Sequence, residues 1–403
     1  MTLYFIKEGK LHLLEGNKTR ELPDGIYDGY VRRTEANARR KEWKHSGEGA
    51  KFTGAFEPTE APSLPYSHIR SVGEHDGIIY YSEQIDEISG IYKKLHPDDT
   101  SEKVGISAND CSFLAFDIKN DKMAVSVGGA MGAHIGVCSM PSLDIKMVTE
   151  GDSHDTEPCF SLVRENTVYF SSRGIARREE EDEFARGKKA LTPLDIMRLM
   201  GEIASKAELG PSAVCRIDLN TYKLDTVVEH EGYDCIKPAC AADGSLYYIK
   251  KPYETEKASN SLGCFVDAIL MPFRLLLALF GFLNLFSMKY SGKTLSGTST
   301  KAKHKSEREL FIDGNLINAE RELKANSKDK NPGIIPRTYE LHRIDKKGND
   351  TLIKRGVLCY TIDRTGNVIC SNGRHILCID SQGNETVLAK EDCVTFLKEL
   401  DIQ

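Results

Sequence analysis

Apolar and polar positions along this chain alternate in short runs rather than recurring at helical spacing, the pattern of strands with one buried face. One apolar run recurs six times, as LYFIKEG (3–9), IIYYSEQ (78–84), KMAVSVGG (122–129), TVYFSSRG (167–174), SLYYIKKP (245–252) and NVICSNG (367–373). A second run follows each: LHLLEG, GIYKKLHP, HIGVCSMP, AVCRIDLN, YELHRIDK and HILCIDSQ. Edge-like strands such as KLDTVVEH and ETVLAKE come next, and CSFLAFDIKND, CFSLVREN, CIKPACAADG and CYTIDRTG read as the strands that open a unit. The repeat is therefore a four-stranded antiparallel meander. The first copy lacks its opening strand, and CVTFLKEL (393–400) at the other end of the chain is placed to supply it.

Three stretches do not fit the repeat, roughly 24–62, 174–212 and 254–337. Without them each unit is about 40 residues long, the repeat length of propeller blades. The predicted fold is all-β, a six-bladed β-propeller closed by the C-terminal strand joining the N-terminal blade, which removes open sheet edges. The propeller occupies 1–253 and 338–403, with 254–337 as an inserted segment. EPCFSLVREN before TVYFSSRG, and KPACAADG before SLYYIKK, resemble the inner-strand signature of the TolB-like six-bladed propeller family, in which a Pro, a small residue and an aromatic precede a polar turn. The resemblance covers the blade-forming residues. Periplasmic members of that family carry signal peptides, whereas MTLYFIKEGKLHLLEG reads as a strand pair, so the family's cell-envelope role is not expected here.

Strand alternation places all three insertions at one face. The longest contains CFVDAILMPFRLLLALFGFLNLFS (264–287), about one bilayer's worth of apolar helix. The chain must return to the next strand of its blade, so an interfacial or re-entrant segment is expected rather than a single span. Phe273, Leu276, Phe280 and Phe286 would enter the membrane, and Lys301, Lys303 and Lys305 lie in a following stretch of net charge +5. The first insertion adds VRRTEANARRKEWKHSGEGAK (31–51), net +4, with Arg39, Arg40 and the only Trp, Trp43. The middle one holds an acidic run, Glu179 to Glu183, and a helical stripe of Ile196, Met200, Ile203 and Ala207. An apolar cap buried against that stripe, or an interface helix between copies, is the competing reading of 264–287.

Composition narrows the classes. With 40% hydrophobic and 28% charged residues the chain is neither disordered nor fibrous. The net charge of −6 means the positive insertions stand out against an acidic remainder, a footprint for an anionic membrane surface, a membrane protein or another protein partner. Aromatic residues are sparse among the cations, so nucleic acid is not expected. Eleven Cys without a CxxC pair suit reduced thiols and a cytoplasmic protein, peripheral at the cytoplasmic membrane face. Cys111, Cys159, Cys235, Cys359 and Cys393 recur near inner-strand starts, where small inert residues fit.

Asn109, Asp110, Asp155, Glu157, Asp234 and Asp392 precede or open inner strands and would ring the mouth of a central tunnel, with His68, His75 and His154 nearby. Asp110, Asp155, Glu157 and Asp234 could hold calcium or another divalent cation there, which would suit a tunnel-centred hydrolase or lactonase-like enzyme. The plainer reading is turn formation by Asp and Asn, with no cofactor. No catalytic residue is assigned. SGKT (291–294) lacks the first Gly of a phosphate loop, and neither a GxSxG elbow nor a GxGxxG turn is present. A non-catalytic binding scaffold is the leading expectation.

Overall fold

The computed structural model describes residues 2–16, 18–41, 65–107, 111–129, 132–177, 207–253, 309–312 and 315–400. Among them are six sets of four strands and two helices, α1 (Gly25–Lys41) and α2 (Ala319–Ala325). Sheet 1 runs Val394–Glu399, Thr2–Lys7, Lys10–Glu15, Lys18–Glu21, so the C-terminal strand does pair with the N-terminal one. Sheet 2 is Ser67–His75, Ile78–Ile85, Ile88–Lys94, Glu102–Ile106, and sheet 3 is Cys111–Lys119, Lys122–Gly129, Gly132–Ser139, Lys146–Met147. Sheet 4 is Ser153–Phe160, Thr167–Arg177, Ala207–Asp218, Leu224–Val228 and joins sheet 3 through one parallel bridge, Ala133 to His154. Sheet 5 is Tyr233–Cys240, Leu246–Pro252, Glu340–Ile344, Asp350–Arg355, and sheet 6 is Cys359–Ile362, Val368–Ser371, Ile376–Ile379, Glu385–Ala389.

Successive sheets share apolar cores. Tyr4 and Leu13 of sheet 1 pack with Val72 and Tyr81 of sheet 2. Tyr80 and Ile91 meet Phe116 and Val125 of sheet 3, whose Ile135 meets Phe160 and Phe170 of sheet 4. Val214 packs with Cys235 and Tyr248 of sheet 5, and Ile249 and Leu341 pack with Val368 and Leu377 of sheet 6. A sixth core joins sheet 6 back to sheet 1, with Ile369 and Ile376 against Leu3, Phe5 and Leu397. The second strand of each sheet therefore buries residues on both faces, which is why these strands read as near-continuous apolar runs.

Five of the six first strands carry a bulge, at Arg70, Leu114, Glu157 with Pro158, Lys237 with Pro238, and Thr395. Glu157 and Lys237 adopt φ of 56° and 55° there, a left-handed conformation costly for such residues. This moves one expected boundary. CFSLVREN was expected as a strand, but the strand is Ser153–Phe160 and 161–166 form the turn. Pro158 reads as a break, yet its strand is the first of its four and a bulge leaves the missing N–H without consequence.

Three hairpins close on the same device, DKKGN (345–349), DRTGN (363–367) and DSQGN (380–384). In each, one Asp oxygen accepts from the backbone N–H groups two and four residues on, at 2.8–2.9 Å, and the other accepts from the Asn amide. The glycines sit at φ of 86°, 86° and 83°, where a Cβ would be strained.

By its contacts the chain divides into one unit of Met1–Tyr253 with Glu320–Gln403 and a second of Glu254–Ala319. The second contains the hairpin Glu309–Ile312 and Asn315–Asn318. Residues 320–337, expected within the inserted segment, belong instead to the first unit, where Asn326 donates to the carbonyls of Gly333 and Ile335 at 3.0 Å.

Phe5 is fully buried in the core between sheets 6 and 1. Phe5→Ala should lower unfolding stability by about 3–5 kcal/mol with an unchanged denaturant slope, measured by urea titration.

Candidate functional site

The end of the sheets where one set hands over to the next is the end that carries α1. The helix starts where Asp24 accepts a hydrogen bond from the Tyr27 amide through its side chain (3.1 Å) and from the Asp28 amide through its carbonyl (3.0 Å). Its last turn holds Arg39, Arg40 and Lys41, which complement the helix dipole. No residue of α1 is fully buried. Ile26, Tyr27, Tyr30, Val31, Thr34 and Ala38 form a half-buried face, whereas Arg32, Arg33, Arg39, Arg40 and Lys41 are exposed.

Beneath the start of α1 lies a buried polar cluster. Glu83, on the second strand of sheet 2, accepts from the Ser67 hydroxyl at 2.6 Å through Oε1. Its Oε2 is buried without a hydrogen-bond donor among the described residues, and the Asp24 carboxyl acts on it from nearby. Two neighbouring carboxyl groups in a buried place repel one another when both are ionised, which favours a proton on one of them. Burial first, then the Asp24 charge, push Glu83 up to about 9, so it keeps its proton at neutral pH. Lys94 is also buried, donates to the carbonyls of Pro23 and Pro97, and is shifted down by burial. A two-pronged Arg20–Asp98 ion pair ties the outer strand of sheet 1 to the same loop. Helix α1 is thus anchored at its root and displayed along its length.

The first strands of different sheets reach one another through side chains. Lys398 of sheet 1 donates to Asp117 of sheet 3 at 2.8 Å, and the other Asp117 oxygen takes the Phe160 amide of sheet 4 at 2.8 Å. Glu157 of sheet 4 accepts from Ser171 (2.9 Å) and from the Lys237 amide of sheet 5 (2.8 Å). The Tyr360 hydroxyl of sheet 6 donates to the Lys237 carbonyl at 2.6 Å.

The carboxylates selected from the sequence have protein partners. Asp155 accepts from Ser172 and Thr149 at 2.6 Å and from Ser153 at 3.1 Å, and Asp234 accepts from the Ser212 amide (2.8 Å) and Arg173 (3.1 Å). Among the described residues no three His, Cys, Asp or Glu side chains are gathered as metal ligands. His68 and His154 lie at the expected ends of their strands. His75 does not: its strand runs Ser67–His75, and the ring sits at the far end beside Asp76 and Asp121. Asp392 is exposed in a turn. Burial pushes the thiols of Cys235 and Cys370 up to about 12 and that of Cys138 up to about 11, away from the reactive thiolate. Asn109, Asp110, Trp43, Phe273, Leu276, Phe280, Phe286, Lys301, Lys303 and Lys305 lie outside the described residues, as do Glu179 to Glu183 and the stripe residues Ile196, Met200 and Ile203. Ala207, the fourth stripe residue, begins a strand instead, paired with Arg177 in a lengthened hairpin. Among the described residues no helix is long and apolar enough to cross a membrane.

Sequence reasoning missed Arg70, Glu83, Lys94 and the Lys398–Asp117 pair. Only Asp24, within the PDG turn, carried a local signal.

No family model and no curated protein matches the chain. Solved structures similar to it include a putative TolB from Agrobacterium tumefaciens, at TM-score 0.37 and 10% identity, covering 64% of this chain and 68% of that one. TolB from Acinetobacter baumannii gives a TM-score of 0.45 at 9% identity, covering 98% of this chain, which spans 65% of that protein's length. A nidogen/laminin complex gives 0.45 at 8% identity, covering 95% of this chain and 91% of that one.

The Glu83 proton has a measurable consequence. Between its ordinary value of 4.5 and its folded value of about 9, the folded protein holds a proton that the unfolded chain has released. Stability from this group therefore falls as pH rises across that window. Asp24, Lys94, Tyr81, Tyr92 and Ser67 are the groups that face it. Glu83→Gln keeps a neutral side chain beside Asp24 without titrating, and should flatten the decline in urea-unfolding stability over this range.

Proposed function

We propose that the six sheets close into a six-bladed propeller that serves as a non-catalytic binding scaffold. The sixth core, between sheet 6 and sheet 1, and the Lys398–Asp117 contact between sheets 1 and 3 support the closed reading. The scaffold docks on an anionic membrane surface, or a membrane-bound protein, as a peripheral protein of the cytoplasmic face. The observation that carries this reading is α1: a 17-residue helix that buries no residue fully, is fixed at its first turn, and turns five cations outward. A helix with so little packing has its polar face available for a partner, and a row of Arg and Lys selects a negative one. The apolar segment 264–287 would add depth to the same contact.

Co-flotation of the full chain with anionic and with neutral vesicles tests this. Binding should be confined to anionic vesicles and weaken with salt. Neutralising Arg32, Arg33, Arg39 and Arg40 to Gln should reduce it by about a hundredfold, since each cation near the surface contributes about 1 kcal/mol before screening. Replacing 262–290 by a Gly-Ser linker should reduce it further while the β-sheet spectrum is retained. Equal flotation on both vesicle types, or no flotation, would reject the membrane role, and light scattering without detergent would then test 264–287 as an interface between copies.

A further inference from the structure

Arg70 is the residue of the first strand of sheet 2 that a bulge takes out of the pairing register. Bulges re-aim side chains, and this one recurs on the first strands of sheets 1, 3, 4 and 5. The only hydrogen bond of the Arg70 guanidinium among the described residues goes from Nη2 to Gln84 Oε1, at 2.7 Å. Gln84 is itself held, because its amide nitrogen donates to the Asp86 carbonyl at 3.0 Å, so its oxygen is aimed at Arg70. Arg70 Nε is buried and has no partner. Among the described residues no carboxylate pairs with the guanidinium, and burial pulls it below its ordinary value while Tyr66 acts to restore it. On the same strand His68 is stacked on Tyr66, ring centroids 6.2 Å apart and nearly parallel.

An orphaned, partly buried guanidinium is an anomaly with a chemical meaning. Buried charges are ordinarily paired, and a planar fork of N–H donors matches the two oxygens of a carboxylate or phosphate. A neutral amide that fixes the group without cancelling its charge leaves that fork preorganised. We infer that Arg70, positioned by Gln84 and flanked by His68, is the anchor of a binding site for a small oxyanion, a carboxylate or phosphate group, at the α1-bearing end of the first strand of sheet 2. This site is separate from the exposed cations of α1 and does not depend on membrane docking.

The test uses the full chain in solution. Phenylglyoxal modifies accessible arginines, and peptide mass spectrometry reads Arg70 individually. Inorganic phosphate and acetate, each compared with chloride at equal ionic strength, should slow labelling of Arg70 saturably, by about tenfold at ten times the dissociation constant, while Arg39 and Arg40 respond only to ionic strength. The same anions should raise the melting temperature of the native chain, and Arg70→Met should lose that rise. Protection by phosphate alone, by acetate alone or by both supports the site and names its preferred oxyanion. No saturable protection by either, or an undiminished thermal response in Arg70→Met, overturns it. If Arg70→Met does not fold, the labelling of the native chain decides alone.

Discussion

The pairing of Val394–Glu399 with Thr2–Lys7 is the constraint on which the other contacts depend. It places the two ends of the chain in one sheet, so the core between sheet 6 and sheet 1 forms only when the whole chain is present. Leu397 and Val394 come from the last strand, Leu3 and Phe5 from the first, and Ile369 and Ile376 from the sheet before. Contacts this distant in sequence carry a large loop-closure cost that is repaid only when the set is complete. A fold arranged this way is expected to be cooperative, and it leaves loops free to vary without loss of the sheets.

The bulges link that scaffold to its chemistry. A regular first strand would alternate its side chains between the two neighbouring sheets. The extra residue breaks that alternation at Arg70, Leu114, Glu157, Lys237 and Thr395. The freed groups then serve different ends. Glu157 fastens the bulge of the next sheet through the Lys237 amide, Lys237 reaches the Leu358 carbonyl at 3.1 Å, and Arg70 is held by Gln84.

The six second strands were legible because each is buried on both faces, which makes them the most apolar runs in the sequence. The C-terminal strand was legible because CVTFLKEL had no other place in the repeat. The first strands were harder. Pro158 and Pro238 imitate breaks, and a bulge shifts the alternation on which a strand is recognised. The three DxxGN turns went unremarked in the sequence, and each Asp there is satisfied by its own hairpin loop. The polar cluster at the root of α1 was not legible, because Asp24, Glu83 and Lys94 are remote in sequence and each alone is an ordinary charged residue. Carboxylates chosen for their position, Asp155, Glu157 and Asp234, proved to be hubs for hydroxyls and amides, since a carboxylate at a strand end is most easily satisfied by the backbone turning beside it.

Three buried or partly buried cations show how the molecule treats charge. Lys251 lies 3.9 Å from Asp234 and over the ring of Tyr339. Lys94 sits among two carbonyls and the Asp24 and Glu83 carboxyls, where the proton that Glu83 retains leaves the cluster near neutrality. Both are compensated from within. Among the described residues Arg70 meets only a neutral amide, on the strand that emerges after the α1 insertion. Random drift would tolerate an exposed cation of this kind, but desolvating one without a counter-charge is costly in every folded molecule. Because Lys251 and Lys94 are neutralised by the fold's own residues, the charge that Arg70 leaves unanswered among the described residues points to a partner from outside.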